Sequence, residues 1–176
     1  MFASLSLLTA VDILVAYLPL LGERRGISPA VIGVLLSIRA AASVLSRVSI
    51  PVMLRRWGRG KLLLASTFGS GLLFVLLPVT SSIWVMAAIL VAAGFFLGIG
   101  QPLTMSLVVQ AVPPTVRGAA LSLRIMGNKI GQVTLPAIVA VATGAAGAAA
   151  AFVVLGGVLM MSAAGVPRGD VGRTQL

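Results

Sequence analysis

Six stretches of about twenty predominantly apolar residues follow one another along this chain. Each is long enough to cross a ~30 Å hydrocarbon core as a helix. They run over residues 3–21, 30–54, 61–79, 83–110, 118–141 and 147–166, separated by charge clusters, Pro and Gly. Only Gly144 and Gly147 mark the turn between the last two. A bilayer core has no water to satisfy backbone N–H and C=O groups, so such segments must close their own hydrogen bonds, as helices do. Composition agrees: the chain is 59% hydrophobic, with 13 Lys and Arg, 3 Asp and Glu, and a mean hydropathy of +1.15. The expected fold is an all-α membrane protein of six transmembrane helices. It forms a single domain over 1–176, with a tail at 167–176.

Cysteine and histidine are both absent. Disulfides, thiolate nucleophiles, Cys/His zinc sites and imidazole acid–base chemistry are therefore excluded. An intramembrane protease would lack its partner group, since Asp12 is the only carboxylate within a span. No enzyme activity, metal or cofactor is expected. The net charge of +10 is scattered through short loops and apolar runs, without the basic face or aromatic platform of a nucleic-acid binder. "GRGK" at 58–61 lacks the fuller phosphate-loop pattern and lies between spans. The first span has no basic leader and holds Asp12 at its centre, unlike a cleavable signal.

The excess charge reads instead as topology. Six spans place both termini on one face, with Arg55, Arg56, Arg59, Lys61, Arg117, Arg168 and Arg173, whereas the opposite face holds Arg24 and Arg25. By the excess of Lys and Arg in cytoplasmic loops, both termini are expected in the cytoplasm.

Shifting the chain by 85 positions lays residues 27–51, "ISPAVIGVLLSIRAAASVLSRVSIP", on 112–136, "VPPTVRGAALSLRIMGNKIGQVTLP". Eight positions are identical, including Pro29/Pro114, Gly33/Gly118, Arg39/Arg124 and Pro51/Pro136. The second span is thereby related to the fifth, making two three-helix units at approximately 1–82 and 83–166. An odd number of spans per unit inverts the second unit in the membrane. The loop charges exchange accordingly: "RRWGRGK" follows the second span, while the uncharged "ATGAAGA" follows the fifth.

Within the spans the polar residues fall in stripes. Arg39, Ser43 and Arg47 stand at i, i+4 and i+8, and Arg124, Asn128 and Gln132 occupy the aligned positions, so each trio shares a helical face. At 1.5 Å per residue, Asp12 and Arg39 both lie roughly 13 Å from a span end, near the midplane, and Lys129 roughly 16 Å in. An ionised group there costs at least ~2.5 kcal/mol, so it faces a bundle interior or a wet cavity and usually pairs. Asp12 and Arg39 are at the right depth to pair across the first hairpin, either in a solute path or merely to hold two helices together. Arg47 and Arg124, roughly 9 to 11 Å from the cytoplasmic end, are within snorkelling reach of the interface. Gly94 and Gly98, and Gly127 and Gly131, form GxxxG pairs whose ordinary meaning is close helix packing. Pro102, after Gly100 and Gln101, frees a carbonyl in the fourth span, which is tolerated beside a cavity. Trp57 and Trp84 lie at span ends.

Together these residues resemble one half of a major facilitator superfamily transporter, most closely its C-terminal six helices. "RRWGRGKLLL" resembles the family's signature loop of Gly, then Asp-Arg, then Gly-Arg-Lys. Arg56, Gly58 and Arg59 match it, Lys61 closes the basic run, and Arg55 and Pro51 stand where the Asp and the leading Gly would be. Residues 98–140 resemble the fourth-to-fifth helix region of bacterial permeases, with Pro113, Arg117, Gly118 and Pro136 in familiar places. The resemblance implies a secondary transporter half in a bacterial inner membrane, working by alternating access on a small solute or drug. It also implies a second six-helix half, supplied by a missing N-terminal half, a partner chain or a homodimer.

The candidate pathway residues are Asp12, Arg39, Ser43, Gln101, Arg124, Asn128, Lys129 and Gln132. The excess of cations over carboxylates in the spans favours an anionic solute or acidic partners in the missing half, with Asp12 as counterion or proton carrier. The alternative is a non-transporting membrane subunit or inactive truncated remnant whose charges only stabilise helix packing.

Overall fold

The computed structural model describes residues 2–80, 82–146 and 148–164, and among them every long element is helical. The elements are α1 (Phe2–Glu23), α2 (Pro29–Trp57), α3 (Arg59–Leu76), α4 (Ile83–Ala111), a 3-10 turn (Pro114–Val116), α5 (Arg117–Ala146) and α6 (Ala148–Ala164). The apolar runs thus give the helices to within about three residues, except that α5 runs on through Gly144 to Ala146, five residues past its expected end. Residues 165–176, which hold Arg168, Arg173 and the expected tail, lie outside the described residues.

Helix ends follow local chemistry. Pro29 opens α2 in the first turn, where its missing N–H costs no intrahelical bond. Gly58 ends it at φ +75°, in the left-handed region that glycine enters freely, and its N–H bonds the Leu54 carbonyl at 3.1 Å. The chain re-enters helix at Arg59, so α2 and α3 are joined through this one glycine.

Within the described residues α1, α2, α3 and α4 contain segments apolar and long enough to cross a membrane, and α6 adds a shorter apolar helix over Ala149–Ala163. Large apolar side chains cover much of the outer surface, among them Val44, Leu45, Val48 and Val52 of α2 and Leu123, Ile125 and Met126 of α5. Such a surface suits lipid and not water. The protein is an integral membrane protein.

α2 packs most extensively on α4, α3 lies between α4 and α6, and α1 touches α6, α5, α4 and α2. Leu7, Leu14 and Leu18 of α1, Leu90 and Leu97 of α4, and Leu155 and Leu159 of α6 belong to one buried cluster. Phe74 and Phe152 join α3 to α6 with ring centroids 6.1 Å apart. Apolar burial gives little net drive inside a membrane, so close approach through small residues carries more of the packing. A Cβ at Gly71 would lie 3.0 Å from the Gly156 carbonyl oxygen, and one at Gly156 would lie 2.7 Å from that of Gly71. In α3 the buried hydroxyls of Ser66, Thr67 and Ser70 bond back to carbonyls of their own helix, satisfying polar groups without a partner helix.

Candidate functional site

α4 is the element on which the polar residues converge. From one side α2 lays its main chain against Gly94 and Gly98. A Cβ at Gly94 would collide with the Arg39 carbonyl oxygen, and one at Gly98 would lie 2.5 Å from that of Ser43 and collide with the Ser46 hydroxyl. The first GxxxG pair therefore does what such pairs ordinarily do, and the residues it receives are two members of the polar stripe. Ser46, fully buried in the same contact, donates to the Ser43 carbonyl at 2.8 Å. Arg39 is half-buried here, and its Nε is buried with no hydrogen-bond partner.

Further along α4, at Thr104, α5 brings Arg124. Its Nη2 donates to Thr104 Oγ1 at 2.9 Å, and the Thr104 hydroxyl in turn donates to the Gln101 carbonyl at 2.8 Å. The guanidinium thus turns into the α4–α5 contact instead of extending to the interface as its depth suggested. Its Nε, too, is buried and unpartnered. Just before this point Pro102 lacks an N–H, which leaves the Gly98 carbonyl without its usual i+4 donor. Thr104 escaped the sequence reading, although its place three residues after Gln101 puts both on one face of α4.

The remaining candidates are distributed along α1 and α5. Asn128 is buried and engaged in an interaction, while Lys129 is exposed and donates to Gln132 Oε1 at 3.0 Å. Gly131 packs against Leu5 of α1, whereas Gly127 has nothing within 4 Å, so only one member of the second GxxxG pair makes a close contact among the described residues. Arg47 is exposed. Thr9 of α1 is buried with an unpartnered hydroxyl.

The expected pairing of Asp12 with Arg39 does not form. Asp12 is exposed on α1, and no ion pair joins the two. The equal depth expected from residue counts did not make them neighbours, because α2 turns Arg39 toward Gly94 of α4 and meets α1 far less than it meets α4.

At the α2–α3 turn, Arg55, Arg56, Arg59 and Lys61 are all exposed around Gly58. The carboxylate that the signature loop would contribute is replaced by the Arg55 guanidinium, so no internal acid–base contact can form at that position.

The family model for the Major Facilitator Superfamily matches residues 1–168. The chain belongs to the major facilitator superfamily. Its members are membrane transporters, so transport is the class of activity this fold serves. Comparisons with curated proteins and with solved structures gave no match.

Proposed function

We propose that this major facilitator chain forms one half of a secondary active transporter that moves a small anionic solute by alternating access. The observation that carries this reading is the pair of guanidinium groups at Arg39 and Arg124. They meet α4 at Gly94 and at Thr104, each has a buried Nε without a partner, and no carboxylate pairs with either among the described residues. A half-buried guanidinium whose Nε is buried and unpartnered is costly unless an acceptor arrives, and an anionic solute is the acceptor a transporter supplies. Ser43, Gln101, Asn128, Lys129 and Gln132 complete the proposed pathway.

Six spans in two inverted three-helix units are part of the same proposal. The helix pairings support it: exchanging α1–α3 with α4–α6 turns each pairing into another that is present, α2 on α4 becoming α5 on α1, and α3 on α4 becoming α6 on α1. Gly71 and Gly156, which meet across α3 and α6, are 85 positions apart, the offset of the sequence repeat. Both termini are assigned to the cytoplasm of a bacterial inner membrane, on the charge bias of the loops.

A second six-helix half is the proposed partner. Asp12 and Lys129 are exposed at mid-membrane depth, where contact with lipid is unfavourable by several kcal/mol in order of magnitude. A facing half or a water-filled cavity between the two would remove that cost. Asp12 then serves as counterion or proton carrier.

The alternative, a non-transporting subunit, draws on the use of Gly94, Gly98 and the Arg39 main chain in helix packing. Uptake of labelled organic anions into proteoliposomes under an imposed pH gradient tests the proposal, using the chain alone and with its second half. Saturable flux that needs both halves supports it. Folded protein giving no flux in either preparation removes transport as an activity of this chain.

A further inference from the structure

α2 carries a second, outward face unrelated to the polar stripe. Val34, Ile38, Leu45, Val48 and Val52 are all exposed, Val48 at 76%. At 100° per residue they fall within an arc of about 80°, while Arg39, Ser43 and Ser46 point toward α4. From Val34 to Val52 the stripe is about 27 Å long, close to the thickness of a hydrocarbon core. Its end is marked by Arg55 and Arg56 on the same side of the helix, then by Trp57, which is 50% exposed. Across Gly58, Arg59 and Lys61 add two more exposed cations.

Among the described residues this cluster has no counterion within reach. Among the described residues the carboxylates are Asp12, in the middle of α1, and Glu23, at the opposite end of the bundle. The first turn of α3 contains no acidic residue, and its two cations stand at the helix end where positive charge is unfavourable. Loop topology alone accounts for the sign of these charges. Neither topology nor the signature-loop pattern supplies the four cations with a counterion among the described residues, and they stand at the foot of a continuous exposed apolar stripe.

We infer that the α2–α3 turn and the outward face of α2 form a binding surface for an anionic phospholipid, its acyl chain along Leu45, Val48 and Val52 and its headgroup phosphate among Arg55, Arg56, Arg59 and Lys61. The headgroup supplies the missing anion, and the stripe supplies the apolar contact that a soluble phosphate cannot use.

The chain has two tryptophans, so a Trp84→Phe variant leaves Trp57 as the only reporter, beside the proposed headgroup. Its fluorescence is read in vesicles containing brominated phosphatidylglycerol or brominated phosphatidylcholine at equal mole fraction. The expected result is enrichment of the anionic lipid at Trp57 by ~5-fold or more, the factor one Lys or Arg near an anionic surface supplies, weakening as salt is raised. Replacing Arg55, Arg56, Arg59 and Lys61 together by Gln is expected to abolish the preference, with circular dichroism confirming retained helix. Equal quenching by both lipids, or a preference that survives the four substitutions, overturns the assignment. So does displacement of the lipid by millimolar inorganic phosphate, which marks a soluble-anion site. Trp57 shielded from both lipids overturns it as well, because another protein then covers the face.

Discussion

Gly71 and Gly156 stand with each main chain where the other's Cβ would be: a methyl group placed on either glycine falls within 3.0 Å of its partner's carbonyl oxygen. Helices α3 and α6 are therefore held at a distance that no larger residue tolerates. Alanine at either site forces a shift of rigid backbone, at a cost typical of overpacking, about 1 to 3 kcal/mol. Gly157, one residue away with nothing within 4 Å, is the control. Thermal unfolding in detergent should show Gly71→Ala and Gly156→Ala clearly less stable than wild type and Gly157→Ala unchanged. Equal behaviour of the three would mean that α3 and α6 are not in this contact.

The same logic applied to α4 separates packing from pathway. Gly94→Ala pushes directly on the Arg39 main chain, while Gly127→Ala on α5 meets open space. The first substitution is expected to weaken both the fold and any flux that depends on Arg39, and the second to leave both near wild type. Parallel melting and uptake measurements decide it.

On the face opposite the basic turn, Arg25 clasps two loops together. Its guanidinium donates to the carbonyls of Pro78 and Thr80 and reaches the Met86 sulfur at 3.7 Å, so the α1–α2 loop is tied to the α3–α4 loop. Arg24 beside it is exposed. Arg25→Ala leaves two carbonyls without their charged donor and should lower stability by about 1.5 to 3 kcal/mol, with faster proteolysis of the α3–α4 loop. Arg24→Ala should change neither. Matching losses for both variants would contradict the clasp.

Since no ion pair joins Asp12 and Arg39, their energetic coupling should be small. A double-mutant cycle with Asp12→Asn and Arg39→Gln, read as stability in detergent, is expected to close within about 0.5 kcal/mol. A coupling of about 1 to 3 kcal/mol, the size seen for groups in contact, would restore the paired arrangement.

The apolar runs made the helices legible, because a membrane leaves a hydrophobic segment few alternatives. Gly94 and Gly98 were legible as a packing surface for the same reason. Residue counts gave an expected depth but no azimuth: Asp12 and Arg39, expected at one level, face different neighbours. The Arg25 clasp left no trace in the sequence, since its acceptors are main-chain carbonyls that any residue can provide. Thr104 was within reach, as a hydroxyl one turn from Gln101, but nothing in the pattern of α5 says that Arg124 turns toward it.

The claim that Arg39 and Arg124 receive an anionic solute is tested most directly by anion flux in variants of these two residues. Proteoliposomes holding the chain with its second half are assayed with a panel of labelled mono- and dicarboxylates and phosphate esters. Arg39→Gln and Arg124→Gln should each reduce gradient-driven anion uptake by at least about tenfold, the equivalent of ~1.4 kcal/mol. The exposed Arg47→Gln should retain it. Unchanged anion uptake in a folded Arg39→Gln/Arg124→Gln variant would contradict the assignment and leave the two arginines as packing elements around α4.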